Sequence, residues 1–177
     1  YETQCAVGHD LLAGTNGEFR RRMKADAAAT LYTTAADYAR FVTAVMNGRG
    51  LKKETIAAML TPQIEVAKDV SWGLGFGLQR TPVGRAFWQW GDYGIFRNYV
   101  VAYPEERIGL VYLTNSQNGL SIGQDVLDLA IGGGQDLGLA YLKYGRHDTP
   151  VMALVRAVRT QGVAEAVRLF REGRAKD

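Results

Sequence analysis

Apolar positions recur along the chain at two spacings, and the change between them marks its organisation. Tyr38, Phe41, Val42 and Val45 fall at i, i+3, i+4 and i+7, which is one face of a helix. Thr34, with Asp37 three residues on, starts that helix as a variant of the capping box. Asn47-Gly48 and Gly50 stop it. A second short helix is predicted from Lys52 to Leu60, ending ahead of Pro62. Residues 1–30 have weak periodicity and turn residues such as Gly14-Thr15-Asn16-Gly17, and read as an extended loop segment.

From Trp72 the period falls to two. Trp72, Leu74, Phe76 and Leu78 alternate with residues that are mostly glycine, which predicts a strand with one bulky face and one bare face. A bare face lets a backbone or helix approach closely. Thr81-Pro82-Val83-Gly84 is a turn signal, and Phe87 to Trp90 supplies the hairpin partner. A strand over Arg97 to Tyr103 follows, then a turn at Pro104-Glu105-Glu106-Arg107. Ile108 to Thr114 is nearly all apolar, as for a strand covered on both faces. Such short connections predict an antiparallel meander. Asn118-Gly119 breaks the chain, a helix runs from about Ser121 to Ile131, and Gly132-Gly133-Gly134 ends it. The fold class is α+β.

The tail, residues 135–177, reads as a separate helical unit behind a first domain of residues 1–134. Thr149-Pro150 looks like an N-cap with proline in the first helical position. Val151, Leu154, Val155 and Val158 form one stripe. After Gln161-Gly162, Val163, Ala166, Val167 and Phe170 form another. Two amphipathic helices joined at a glycine make a helical hairpin, either a packing appendage or a docking module.

Composition narrows the function without fixing it. With 47% hydrophobic and 22% charged residues, the chain has the make-up of a globular protein rather than a disordered one. No run approaches the roughly 20 apolar residues a membrane span needs. The net charge of +3 is a weak bias, and no nucleic-acid motif accompanies the basic cluster Arg20-Arg21-Arg22-Met23-Lys24, which reads as a solvated loop. One cysteine, Cys5, excludes an internal disulfide. His9 and His147 stand far apart without cysteine pairs, so nothing asks for a metal or a cofactor. The first residue is Tyr1, not Met, which is the expectation for a processed product or a fragment.

Five segments in register carry a family resemblance: Ala28 to Phe41, Trp72-Gly-Leu-Gly-Phe-Gly77, Trp90-Gly-Asp-Tyr-Gly94, Val101-Ala-Tyr-Pro104 and Leu110-Val-Tyr-Leu-Thr-Asn115. Over roughly residues 1–131 the chain resembles the serine β-lactamase and penicillin-binding family of the class C type, with its esterase relatives. The resemblance implies acyl transfer to a serine. It also implies a small acyl substrate on an amide or ester, and favours the bacterial periplasm or exterior. That family uses a Ser-x-x-Lys nucleophile and base, a Tyr-x-Asn or Ser-x-Asn motif, and a Lys-Thr-Gly or His-x-Gly motif on a strand edging the site. A serine hydroxyl needs an adjacent base to act at neutral pH.

Here Ser71, Ser116 and Ser121 are the only serines, and Leu74, Gly119 and Gln124 follow them at the lysine position. The resemblance therefore implies the carboxy-terminal part of a longer hydrolase, with its first two motifs upstream. The third motif falls on Asp92-Tyr93-Gly94, which departs from the family pattern because Asp92 repels a substrate carboxylate. Arg97 restores a positive charge nearby. Asp92, Tyr93, Gly94 and Arg97 are thus candidates for substrate binding and for oxyanion contacts. Trp88 and Trp90, alternating on one strand face, are either cleft wall or core. The structural alternative for Asp92 is a turn carboxylate accepting backbone N–H bonds.

Two further readings compete: a non-catalytic peptide or cell-wall binder on the same scaffold, and an interaction module driven by the tail. With helices on a single face, the meander leaves one sheet edge open, near Phe96, Tyr99 and Val101. The upstream segment of the family or another chain is expected to cover it, and an isolated chain is expected to dimerise there.

Overall fold

The computed structural model describes residues 5–15, 24–146 and 150–172. The basic cluster at Arg20-Arg21-Arg22, His147 and the expected Thr149 cap lie outside the described residues.

Helix α1 spans Ala35–Met46 and helix α2 spans Lys53–Met59. The cap on α1 forms as its sequence predicts: the Thr34 hydroxyl oxygen accepts the Asp37 N–H at 3.1 Å and the hydroxyl donates to the Asp37 carboxylate at 3.0 Å. Caps of this kind contribute about 1 kcal/mol. Six strands follow in order: β1 (Ile64–Ala67), β2 (Val70–Trp72), β3 (Gly77–Arg80), β4 (Arg85–Asp92), β5 (Arg97–Tyr103) and β6 (Ile108–Thr114). They pair sequentially in one antiparallel sheet, a pure meander. A 3₁₀ turn at Gly119–Ile122 leads into α3 (Gly123–Ala130), then α4 (Leu137–Leu142), α5 (Pro150–Gln161) and α6 (Val163–Arg171).

Alternation along the central strands sorts the side chains onto two cores. Trp88, Tyr99, Val101 and Tyr103 share one face with Leu120 and Leu127, and Leu139 of α4 packs there. Phe87, Val100 and Ala102 share the other with Val42 and Val45 of α1. Helices therefore cover both faces, not a single one.

Three expectations change in consequence. Trp72 to Leu78 is not one strand. Gly75 adopts a φ of 89°, which only glycine takes easily, and the Gly73 N–H donates to the Phe76 carbonyl at 2.8 Å. The chain turns between β2 and β3, so Trp72 joins one core, Phe76 and Leu78 the other, and Leu74 is exposed. Tyr99 and Val101 do not sit at an edge: β5 is paired on both sides, and both residues are buried. The boundary strands are β1 and β6. β6 is covered on its faces by α1 and by the Leu127 core, yet as a boundary strand it stays only partly buried.

Helix α4, absent from the periodicity reading, packs over β2 and β3. Gln135 just before it is 2% exposed, so packing against the sheet continues past Gly134. α5 and α6 pack mainly on each other, with Ala157 and Ala166 buried between them and Gly162 at the turn. Of the α6 stripe only Ala166 is buried; Val163, Val167 and Phe170 face outward. No helix among the described residues is long and apolar enough to cross a membrane.

Candidate functional site

Strand period places the chemistry. Asp92 ends β4 and Arg97 opens β5, and the two are direct cross-strand partners. Residues opposite each other share a face, and here that is the face of Trp88 and Trp90. Arg97 Nε lies 3.2 Å from Asp92 Oδ2. The other carboxylate oxygen, Oδ1, accepts the Gly94 N–H at 2.9 Å, an Asx turn that fixes the bend. The Tyr93 N–H donates to the Phe96 carbonyl at 2.9 Å and closes the loop. Only Asp92 of the Asp92-Tyr93-Gly94 triplet is therefore on a strand, and Tyr93 stands half exposed at the tip.

A residue that sequence reasoning missed completes the cluster. The Tyr144 hydroxyl donates to Asp92 Oδ2 at 2.6 Å, and the Arg97 guanidinium lies over the Tyr144 ring at 5.1 Å from its centroid. The available signal was for α4 alone, Leu137 and Tyr141 at i and i+4, which pack on the Trp88 core; Tyr144 lies past the end of that helix. The triple glycine ahead of it and the brevity of α4 hid the pattern.

Partial burial pushes the Asp92 pKa up. The Tyr144 hydroxyl, the Gly94 N–H and Arg97 outweigh that effect and hold it below the ordinary carboxylate value. Tyr144 moves the other way, raised first by burial and then by the Asp92 carboxylate, against a hydrogen bond from the Trp90 side chain. A carboxyl depressed in the folded state stabilises fully above its unfolded pKa, and that contribution is lost as pH falls through the folded value. Asp92→Asn is therefore expected to lower the melting temperature at neutral pH. The gap to the parent should close as pH falls below about 4. A gap independent of pH would show that the Asp92 charge contributes nothing.

Trp88 is fully buried, stacked against Tyr99 at 6.2 Å and flanked by Trp72 at 5.2 Å. It belongs to the core and lines no cleft. Trp90 lies half buried between that core and the Asp92 cluster, 5.9 Å from Trp72 and 6.1 Å from Trp88. Residues 7–10 brace the same end of the sheet. The His9 N–H donates to the Asn115 carbonyl at 2.8 Å, and Ile95 packs against Gly8. His9 itself is held as a bridge to Ser116, and Asp10 caps its own turn by accepting the Leu12 and Gly14 N–H groups. A cavity of about 190 Å³ lies elsewhere, between α1 and the β5–β6 turn, lined by residues such as Val42, Met46 and Arg107. It is smaller than typical ligand pockets of about 300–1,000 Å³ and holds none of the candidate residues.

The Beta-lactamase family model matches residues 4–131, from the segment that braces the Asp92 hairpin to the end of α3. The chain belongs to the Beta-lactamase family. It has the scaffold of a serine-hydrolase-like domain. Among solved structures it is similar to the octameric penicillin-binding protein homologue from Pyrococcus abyssi, with 21% identity and a TM-score of 0.49. That match covers 70% of this chain and 28% of the other, so the chain spans little more than a quarter of that protein's length. No curated protein matches. In this β-lactamase-like domain Asp92, Tyr93, Gly94 and Arg97 lie within the matched residues, whereas Tyr144 lies beyond them.

Proposed function

We propose that this chain is the carboxy-terminal part of a β-lactamase-like serine hydrolase that transfers an acyl group from an amide or ester. In this reading the Asp92 hairpin walls the acyl-transfer cleft, and the nucleophile comes from a segment the chain does not contain. The observation that carries it is the family match over residues 4–131 in a sequence without any Ser-x-x-Lys. The unpaired outer side of β6 supports it as well. Among the described residues no strand covers that edge, and an upstream segment of the same protein is the occupant we assign to it. Residues 135–177 are then a helical extension of the domain.

Turnover of a chromogenic ester or amide by this chain alone should stay at background. Joined to its upstream segment, the protein should be active. In that active protein, Asp92→Ala should lower kcat/KM by more than tenfold. Hydrolysis by the isolated chain would overturn the assignment of the nucleophile, and an unchanged rate in the variant would remove Asp92 from the cleft.

One observation favours a second reading, a non-catalytic binding protein on the same scaffold. Both Asp92 oxygens are already engaged, by Gly94 on one side and by Tyr144 and Arg97 on the other. A carboxylate so occupied acts as a structural anchor for the hairpin, which leaves Tyr93 and the loop backbone as the contacts for a ligand.

A further inference from the structure

The family match ends at Ile131, yet the chain continues onto the candidate site. After α4, Lys143 adopts a left-handed conformation with a φ of 58° and turns the backbone sharply. Tyr144 follows at once and reaches Asp92 and Arg97. Two residues later, Arg146 pairs with Asp125 at 3.0 Å and hydrogen-bonds Gln124, both on α3. Tyr144 is thus held from both sides: α4 is docked on the sheet before it, and Arg146 is tied to α3 after it.

We propose that residues 143–146 form a strap that completes the candidate site, with Tyr144 as the positioning residue for Asp92 and Arg97.

The geometry gives this strap more than a packing role. The Tyr144 hydroxyl donates to Asp92 Oδ2, the same oxygen that faces Arg97 Nε at 3.2 Å in an ion pair, so one oxygen atom meets groups from two different elements. The Tyr144 ring lies under the guanidinium, a cation–π contact that fixes the plane of Arg97. The guanidinium is a planar, rigid group, and its Nε is the nitrogen paired with Asp92, by charge rather than by a hydrogen bond. Tyr144 therefore sets where the cation of the site points, while Asp92 cancels its charge. Trp90 lies between this arrangement and the aromatic core, 5.9 Å from Trp72 and 6.1 Å from Trp88. All four side chains lie on one face of the sheet, and Tyr144 is the one among them that reaches Asp92 from outside the sheet.

This inference rests on the reading of the Asp92 hairpin as cleft wall, and the test separates the two. Tyr144→Phe keeps the ring and removes only the hydroxyl. In this chain, the titration of the Asp92 side-chain carbon followed by NMR should move to higher pH in Tyr144→Phe, with a melting temperature at neutral pH lowered by less than in Asp92→Asn. In the active protein carrying the upstream segment, Tyr144→Phe should lower kcat at least fivefold and shift the acid limb of the pH profile upward. Combining it with Asp92→Ala should cost no more than Asp92→Ala alone. A parental Asp92 titration in Tyr144→Phe overturns the positioning role outright. A parental kcat and pH profile in Tyr144→Phe, beside an impaired Asp92→Ala, overturns the strap and leaves the cleft reading standing. If Asp92→Ala is itself fully active, the cleft reading falls and the strap's functional role falls with it.

Discussion

Replacing Trp88 with alanine is expected to cost about 3–5 kcal/mol of folding stability, a large share of the 5–15 kcal/mol a domain has in total. Trp88 is fully buried at the centre of the sheet, and four aromatic rings surround it: Trp72, Trp90, Tyr99 and Tyr141. Two glycines make room for the indole. A Cβ on Gly77, its cross-strand partner, would sit 2.3 Å from the ring, and one on Gly138 of α4 would sit 2.7 Å from it. The two glycines have no side chain to move into the space and the four rings are rigid, so the cavity left by alanine stays open and its cost stays near the top of the range. Urea unfolding followed by far-UV circular dichroism measures this directly. Leu129→Ala, at a position 90% exposed, is the control and should change the midpoint little. A loss below about 1 kcal/mol for Trp88→Ala would mean that the aromatic cluster is not the core.

The parts of this fold that local chemistry encodes were legible in the sequence. The Thr34 cap, the Thr81–Gly84 turn and the strands Arg97–Tyr103 and Ile108–Thr114 each depend on residues close in the chain, and each formed where expected. Trp72 to Leu78 misled because glycine serves two ends. It leaves a strand face bare, and it also permits the positive φ that ends a strand; Gly75 does the second. Helix α4 was illegible because six residues between glycine-rich and turn-forming segments have little propensity to show, and its order comes from docking on the sheet.

The site divides along the same line. Asp92 and Arg97 face each other because a short hairpin in register requires it, so their pairing follows from neighbours five residues apart. Tyr144 comes from 52 residues along the chain, carried there by α4. No local pattern encodes such an arrival; it depends on how α4 sits on β2 and β3. Trp88 and Trp90 show the converse limit. Alternation put both on one face, but which of the two reaches the surface is decided by α4, which covers Trp88 and leaves Trp90 half exposed.

Gln79→Leu tests the docking of α4 and should destabilise the protein by several kcal/mol. Gln79 is 3% exposed, on β3 beneath the start of α4. Its side-chain amide donates to the Gln135 carbonyl at 2.8 Å and to the Tyr103 hydroxyl at 3.0 Å, while its oxygen accepts the Gly138 N–H at 2.8 Å. Gln135 closes the network by accepting the Tyr103 hydroxyl at 3.0 Å. Leucine is apolar and branches one carbon short of the glutamine amide, so the substitution leaves the Gly138 N–H and the Gln135 carbonyl buried without their partner. Each such group costs about 1–3 kcal/mol. Tyr103 loses less, because it keeps its bond to Gln135. Thermal unfolding measures the total. A loss under 1 kcal/mol would mean that water reaches the Gln135–Gly138 segment and that α4 is held by its apolar face alone. The network also bears on the site, since α4 delivers Tyr144 to Asp92. At temperatures where Gln79→Leu remains folded, a loosened α4 should weaken the Tyr144–Asp92 bond and move the Asp92 titration upward, as Tyr144→Phe does, although Gln79 touches neither residue.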